Sequence, residues 1–288
     1  MRNLLCIFLL FVLPLAATAA NTKKSLSEAL KDNSVKLTAV NVEGMYTGKT
    51  TKLFVTNNTK SVMQITVDLG MILKPDEGNY QPMVLAGEET LAVLPHAQGE
   101  VLVQTFCGNA PKGCPKRDLA YSFDRIGSDT LVKILRFIKT NALFDYLGQH
   151  AVWAITNDHS LSGVYDPARD VVSKKLIELI SATTGKPKPD YYTLVPDEQN
   201  PGSPAYNPKM LKIIAQFEIR TESPKTLTLG VYDSAGTMIQ PVFENQPFPA
   251  RGHRFEVEFE AENVQAGRYY IRLKEGDAML QEKMVKVE

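Results

Sequence analysis

Thr226-Leu227-Thr228-Leu229-Gly230-Val231-Tyr232, closed by Asp233-Ser234-Ala235-Gly236, is the stretch on which the fold of the C-terminal part turns. Leucine and valine alternate with threonine and glycine, and the Asp/Ser/Gly run that follows is turn chemistry. Upstream, Ile214, Gln216 and Glu218 interleave with Ala215, Phe217 and Ile219. Downstream, Arg254-Phe255-Glu256-Val257-Glu258-Phe259 and Arg268-Tyr269-Tyr270-Ile271-Arg272-Leu273 repeat the pattern. Period-two alternation with Gly/Asp/Asn punctuation predicts half-buried antiparallel strands, here a small Ig-like β-sandwich over 209–288.

Four segments of this region match a known arrangement. Leu229 to Gly236, Arg251-Gly252-His253, Ala266-Gly267-Arg268-Tyr269-Tyr270 and Lys283-Met284-Val285-Lys286-Val287 resemble, in this order, the C-terminal sorting domain of the bacterial type IX secretion system. The resemblance implies recognition by secretion machinery at the outer membrane, usually removal of this domain, and release or anchoring at the cell surface. An ordinary accessory sandwich shares the turn and the Gly-x-Tyr features and stays open as the alternative.

The other end is consistent with export. Arg2, an apolar run from Leu4 to Leu15 and the small residues Ala17-Thr18-Ala19-Ala20 have the order of a secretory signal peptide over 1–20. The run is too short to span a bilayer of about 30 Å hydrocarbon thickness, and no later segment is apolar enough, so no membrane span is expected. The expected location is secreted or at the cell surface, with protein or glycan at the cell exterior as partner. Lys and Arg number 32, as do Asp and Glu, and the basic residues are scattered, so nucleic acid is not an expected partner. After signal removal two of the three cysteines remain, Cys107 and Cys114, so the core must come from apolar burial.

From Val35 to Cys107 the chain reads as strands at sandwich-like spacing, with candidates at 35–42, 51–57, 62–69, 82–86, 89–94 and 100–107. The pair within 51–69 reads as a hairpin building one sheet. After the turn-rich loop Gly108–Pro115 the period changes. Ser128-Asp129 caps a predicted helix with a stripe of Leu131, Ile134, Leu135 and Ile138. A second helix is expected over Leu143–Asn157, and a third from Asp166-Pro167 through Val171, Val172, Leu176, Ile177 and Ile180 to Gly185. Six prolines from Pro187 to Pro208 mark a stiff, extended linker over 187–208. The expected class is mainly β with a helical lobe: an N-terminal β-sandwich with three helices over 21–186, the linker, and the C-terminal sandwich.

The second helix has almost no polar face, which marks it as buried. Gln149 sits inside it, one turn before Trp153, the only tryptophan. A buried amide without partners costs roughly 1–3 kcal/mol, so Gln149 needs one. Thr105-Phe106-Cys107 together with Leu147-Gly148-Gln149-His150-Ala151-Val152-Trp153 resembles the motif pair of bacterial surface thioester domains. In that family a Cys at a strand end attacks a Gln on a buried helix, ammonia leaves, and the resulting thioester captures amines. Carried over, Cys107 is the sulfur and Gln149 the acyl donor. Trp153 shields the bond, and His150 or His159 lies near enough in sequence to bind or assist.

Other readings of the same residues stay open. Cys107 and Cys114 flank a Gly/Pro-rich loop and suit a disulfide in a structural envelope protein without covalent chemistry. Both can equally be free buried thiols, and Gln149 can simply satisfy a neighbouring backbone group. Asn157-Asp158-His159-Ser160 reads as a polar helix end rather than a triad, and no Gly-x-Ser-x-Gly elbow supports a secreted hydrolase. Nothing has zinc spacing or a phosphate loop, and Asp68 with Asp76-Glu77 lacks the alternating oxygens of a calcium loop, so no cofactor and no metal is expected.

Overall fold

The computed structural model describes residues 22–197 and 200–287; the segment read as a signal peptide, with Cys6, lies outside them. The chain is mainly β with a helical lobe. Sixteen strands and four α-helices are defined among the described residues.

The N-terminal part begins with β1 (Thr22–Ser25) and α1 (Leu26–Lys31), whose Ser25/Glu28 capping box holds the first turn. Then come β2 (Val35–Asn41), β3 (Gly48–Asn57), β4 (Met63–Thr66), β5 (Met71–Pro75), β6 (Met83–Leu85), β7 (Thr90–Val93), β8 (Gln98–Cys107) and β9 (Ala120–Ile126). Six of them close into a barrel in the order β2-β3-β8-β6-β5-β9, and β1-β4-β7 form a small sheet beside it. The facing sheets expected from strand spacing are therefore replaced by a closed barrel. The cause is β9, which returns after the 108–119 loop to pair with both β5 and β2 and so removes the open edge.

The hairpin expected within 51–69 does not form. β3 pairs with β2 and β8, whereas β4 pairs with β1 and β7. Asn57 turns the chain between the sheets, its amide donating to the carbonyls of Ser61, Val93 and Leu94 at 2.8, 3.0 and 3.1 Å.

Alternation along the barrel strands builds two cores. Leu37, Leu53, Val55, Leu73, Met83, Val103 and Cys107 belong to the barrel interior. Ile72, Val84 and Phe106, one position out of phase, belong to a second core with the helices. Those helices are α2 (Asp129–Thr140), α3 (Tyr146–Thr156) and α4 (Asp170–Thr184). Ser128 caps α2 through the Leu131 N–H, and Gly185 ends α4 in the left-handed conformation. Pro167 opens a single 3-10 turn ahead of α4.

The C-terminal part packs β10 (Tyr192–Leu194), β11 (Lys212–Arg220) and β14 (Gly252–Glu260) against β12 (Lys225–Tyr232), β13 (Met238–Phe248), β15 (Gly267–Glu275) and β16 (Ala278–Val287), in the orders β10-β11-β14 and β13-β12-β15-β16. Leu227, Leu229 and Val231 point into its core with Phe217, Val257 and Ile271. Asp233 Oδ1 accepts from the N–H groups of Ala235 and Thr237, which sets the turn after β12, and Gly236 there has φ +85°.

The described residues of 187–208 pack against both parts of the chain. They contribute β10 to the sandwich, and the Cys114 N–H donates to the Ser203 carbonyl at 2.7 Å. A second tie joins the two parts at Asp170. Its carboxylate accepts from Tyr165 Oη at 2.8 Å, Arg254 Nη2 at 3.1 Å and Gln216 Nε2 at 3.3 Å, with Lys174 Nζ at 2.9 Å. Asp170→Ala removes this node without touching either core. The expected result is a loss of about 1–3 kcal/mol and faster proteolytic cutting within 187–208. Unchanged cutting would show that the sandwich is held by other contacts.

Candidate functional site

Where β3 begins, at Gly48, its partner on β8 is Thr105. Two residues further along β8, at Cys107, that neighbour is gone. The other edge of β8 continues, with Cys107 opposite Met83 of β6. In an extended strand one residue's N–H and C=O point to the same side, so Cys107 presents an unpaired donor and acceptor to the interior. Gln149 meets both. The Cys107 N–H donates to Oε1 at 2.8 Å, and Nε2 donates to the Cys107 carbonyl at 2.9 Å. The side-chain amide replaces a strand residue in the ladder.

Helix α3 is arranged for this approach. Asp145 caps it through the Leu147 N–H at 3.1 Å and is held by Arg169 at 2.8 Å. Residues 147–154 are all buried. Gly148 lets the helix come close, because a Cβ there would lie 2.0 Å from the Leu143 carbonyl oxygen and 2.7 Å from the Phe106 ring. Gln149 and Cys107 are both fully buried.

Cys107 and Cys114 are free thiols within one core. Burial pushes the Cys107 thiol well above its usual value, with the neighbouring Cys114 adding to it. Burial likewise pushes Cys114 up to about 11. Both are neutral at physiological pH.

One helical turn beyond Gln149, Trp153 is the centre of an aromatic cluster. Its ring lies 5.2 Å from His150, 5.7 Å from Tyr206, and 6.0 Å from both Tyr46 and His159. Among the described residues its Nε1 has no hydrogen-bond partner, and neither does buried Nδ1 of His159. Tyr206 closes over His159 at 4.4 Å between ring centres. Tyr46 donates a short hydrogen bond to Asp197. The structure thus joins Cys107 with Gln149, and gathers Trp153, His150 and His159 into the adjacent wall. No hydrogen bond between His150 or His159 and the Gln149 amide is found among the described residues. Sequence reading missed Tyr46, Asp197 and Tyr206. Their only mark was an aromatic or acidic residue in a Gly- or Pro-rich stretch, which is no specific signal.

Asn157 serves as a polar helix end, its Oδ1 accepting from the Ala110 N–H at 3.2 Å. His96 is exposed and His253 partly so. Asp68 is taken up by Ser27, whose N–H and hydroxyl donate to it at 2.7 and 2.9 Å. Among the described residues no three His, Cys, Asp or Glu form a metal-binding group, and no helix is long and apolar enough to cross a membrane.

No protein-family model and no curated protein matches the sequence. Among solved structures, the chain is similar to a selenomethionine-labelled β-glucosidase from Kluyveromyces marxianus, at 10% identity and a TM-score of 0.20. The match covers 83% of this chain and 44% of the other. A likeness that low carries no argument about fold or activity.

His150 gives the site a pH signature. Burial, with His159 nearby, pushes it from 6.5 down to about 3. The folded value lies below the unfolded one, so the unfolded chain binds more protons between them. The stability from this neutral ring is complete above pH 6.5 and is lost as pH falls towards 3. Carboxylates titrate mostly below about pH 5, so the decline between pH 6.5 and 5 reports imidazoles. His150→Phe, which keeps a ring among Tyr146, Trp153 and Tyr206, is expected to remove about 2 kcal/mol of that decline. A denaturation series across this window checks it, and an unaltered slope counts against a buried neutral His150.

Proposed function

We propose that this chain is an exported surface-binding protein. It attaches to amines through an internal thioester between Cys107 and Gln149 and is delivered by its C-terminal sandwich as a type IX-like sorting domain. One observation carries the covalent part: the Gln149 carboxamide is held by the main chain of the same residue that bears the thiol. The sulfur hangs two bonds from the Cα that lies between the bonding N–H and C=O.

The chemistry follows from that placement. As Cys107 Sγ adds to Gln149 Cδ, the carbonyl electron pair moves onto Oε1. The Cys107 N–H already donates there at 2.8 Å, as an oxyanion donor must. Collapse breaks the Cδ–Nε2 bond. The nitrogen takes up the proton given up by the thiol and leaves as ammonia, so one thioester and one ammonia replace thiol and amide. An arriving amine reverses the roles: its nitrogen bonds Cδ, the C–S bond breaks, and the Cys107 thiol returns. Burial of the pair beside Trp153 keeps water from the acyl carbon. The raised thiol value keeps the thiolate scarce at neutral pH, so formation speeds up with rising pH.

Intact mass tests the bond. Thioester formation lowers the mass by about 17 Da, a disulfide between Cys107 and Cys114 by about 2 Da, and free thiols not at all, as loss of the leaving group requires. The expected result is the larger loss, with methylamine then incorporated at Gln149. Cys107→Ala is expected to show neither change. An unmodified mass, or a Cys107–Cys114 peptide, ends the covalent reading and leaves Gln149 as a purely structural amide.

Support for the sorting reading lies in where its motif residues fall. Leu229–Gly236 cover the end of β12 and its turn, Gly252 and Gly267 open β14 and β15, and Lys283–Val287 complete β16. A chain ending at residue 208, expressed in a host with type IX machinery, is expected to remain periplasmic by surface-protease accessibility. Surface display equal to that of the full chain would refute the assignment.

A further inference from the structure

Gln149 is held in place by more than the two bonds at its own end. We infer that Arg169 is a positioning residue of the site: it clamps Asp145 at the start of α3 and so fixes the rotation and height at which the helix offers Gln149 to Cys107. This deepens the covalent reading and rests on it for its chemical consequence, but the placement is measurable without any bond forming.

The clamp is a fork closed on a carboxylate. Arg169 Nη1 donates to Asp145 Oδ2 at 2.8 Å and Nη2 to Oδ1 at 3.1 Å, the two-pronged contact for which a planar guanidinium is shaped. Nε turns the other way, to Asp166 Oδ2 at 2.6 Å. Asp166 is itself fixed at the head of the 3-10 turn that Pro167 opens. Its Oδ1 accepts from the Ala168 N–H at 2.9 Å, and its own N–H donates to Ser173 Oγ at 3.1 Å. Asp145 carries the grip into the helix by two routes. Its Oδ1 accepts from the Leu147 N–H at 3.1 Å, and its main-chain carbonyl accepts from the Gln149 N–H at 2.9 Å. From guanidinium to Gln149 the path is one side chain and one helical turn.

Such a contact supplies what burial lacks. Residues 147–154 are all buried, and apolar burial is non-directional, so it rewards α3 for lying in the lobe more than for any one rotation. Gln149, however, must meet an N–H and a C=O at once, at 2.8 and 2.9 Å, and a shift of about 1 Å away from the strand takes both out of hydrogen-bond range. A bidentate ion pair one turn away is directional. Its contribution to folding is small by contrast. The Arg169 and Asp145 side chains are 33% and 46% exposed, and an ion pair that open to water adds little to the folding free energy. Losing it is felt in where Gln149 sits before it is felt in whether the chain folds.

Cys107→Ala keeps the main-chain N–H and C=O at 107 but has no sulfur. In the full chain of that variant, hydrogen exchange of the residue-107 amide, followed by NMR, reports the Gln149 contact alone. Two changes are made in this background. Arg169→Gln removes the clamp. Asp145→Asn removes it too, but leaves an oxygen to cap Leu147. Each is expected to speed exchange at 107 about tenfold, the scale of one opened hydrogen bond, while the buried Leu53 amide of β3 keeps its rate. Combined, they are expected to act as either does alone, because both break the same contact. With Cys107 restored, each is expected to lower thioester yield and methylamine incorporation about tenfold, as misplacement of a reacting group does. The inference is overturned if exchange at 107 keeps its rate, if Leu53 accelerates as much as residue 107, or if the two changes add. It is equally overturned if the wild-type chain forms the thioester and both variants form it undiminished. A wild-type chain without the mass loss ends the covalent reading, and the exchange rates then decide on Arg169 by themselves.

Discussion

A strand edge without a strand is the constraint around which the N-terminal half is organised. β8 runs two residues past the point where β3 begins, so at Cys107 the barrel ladder ends on one side while continuing on the other. Leaving that buried N–H and C=O unpaired would cost about 1–3 kcal/mol each. The Gln149 amide is chemically a peptide group on a tether, and it completes the ladder from outside the sheet. This accounts for a buried amide in the middle of a mostly apolar helix. It also accounts for Gly148, since any side chain there would press on Leu143 and Phe106 and hold α3 away from the edge.

The same junction ties the two halves of the chain together. Past the barrel, the loop carrying Cys114 is gripped by the segment that precedes the sandwich. Cys114 N–H donates to the Ser203 carbonyl, and Gly202 N–H donates back to the Cys114 carbonyl at 3.0 Å. Gly113 permits this contact, because a Cβ there would lie 2.8 Å from the Gly202 carbonyl oxygen. From the same segment Tyr206 reaches the Trp153 cluster, and Asp197 bonds Tyr46. A proline-rich stretch is stiff by composition. Here that stiffness serves a strap, because a chain with few internal conformations loses little entropy when it is laid along a surface.

Legibility in the sequence followed from how each element is buried. α2 and α4 announced themselves through Ser128, the Leu131–Ile138 stripe, Pro167 and Gly185, all local signals with local causes. Strands with one wet face, such as β2 and β12, alternate and could be read. β5 could not, since Met71, Ile72 and Leu73 are all buried: Leu73 faces the barrel and Ile72 the helices, which erases the alternation. Missing β5, and the short β9 with it, hid the closure of the barrel. The Cys107–Gln149 pair was legible only as a motif. Its physical reason, the missing neighbour of β8, is a long-range fact that no window of sequence contains. Tyr206 and Asp197 join the site through the strap's path, and nothing local marks that path.

In the proposed reaction, structure and reactivity at this pair draw on the same two hydrogen bonds. A bond that only fills a ladder needs a donor and an acceptor, and any residue but proline at 107 would present them. The side chain at 107 is irrelevant to that task. Yet a free sulfur is what sits there, and its own N–H donates to the carbonyl oxygen that the sulfur attacks in the proposed reaction. The donor that satisfies Oε1 in the amide is shortened and strengthened, not broken, as negative charge grows on that oxygen. The Nε2 bond to the Cys107 carbonyl is the one that must be given up when ammonia leaves. What opposes the reaction is the dry interior, which holds the thiol in its neutral form. What protects the product is the same dryness, because hydrolysis needs water at the acyl carbon. On the proposed reading, a site built this way forms its bond slowly and keeps it long.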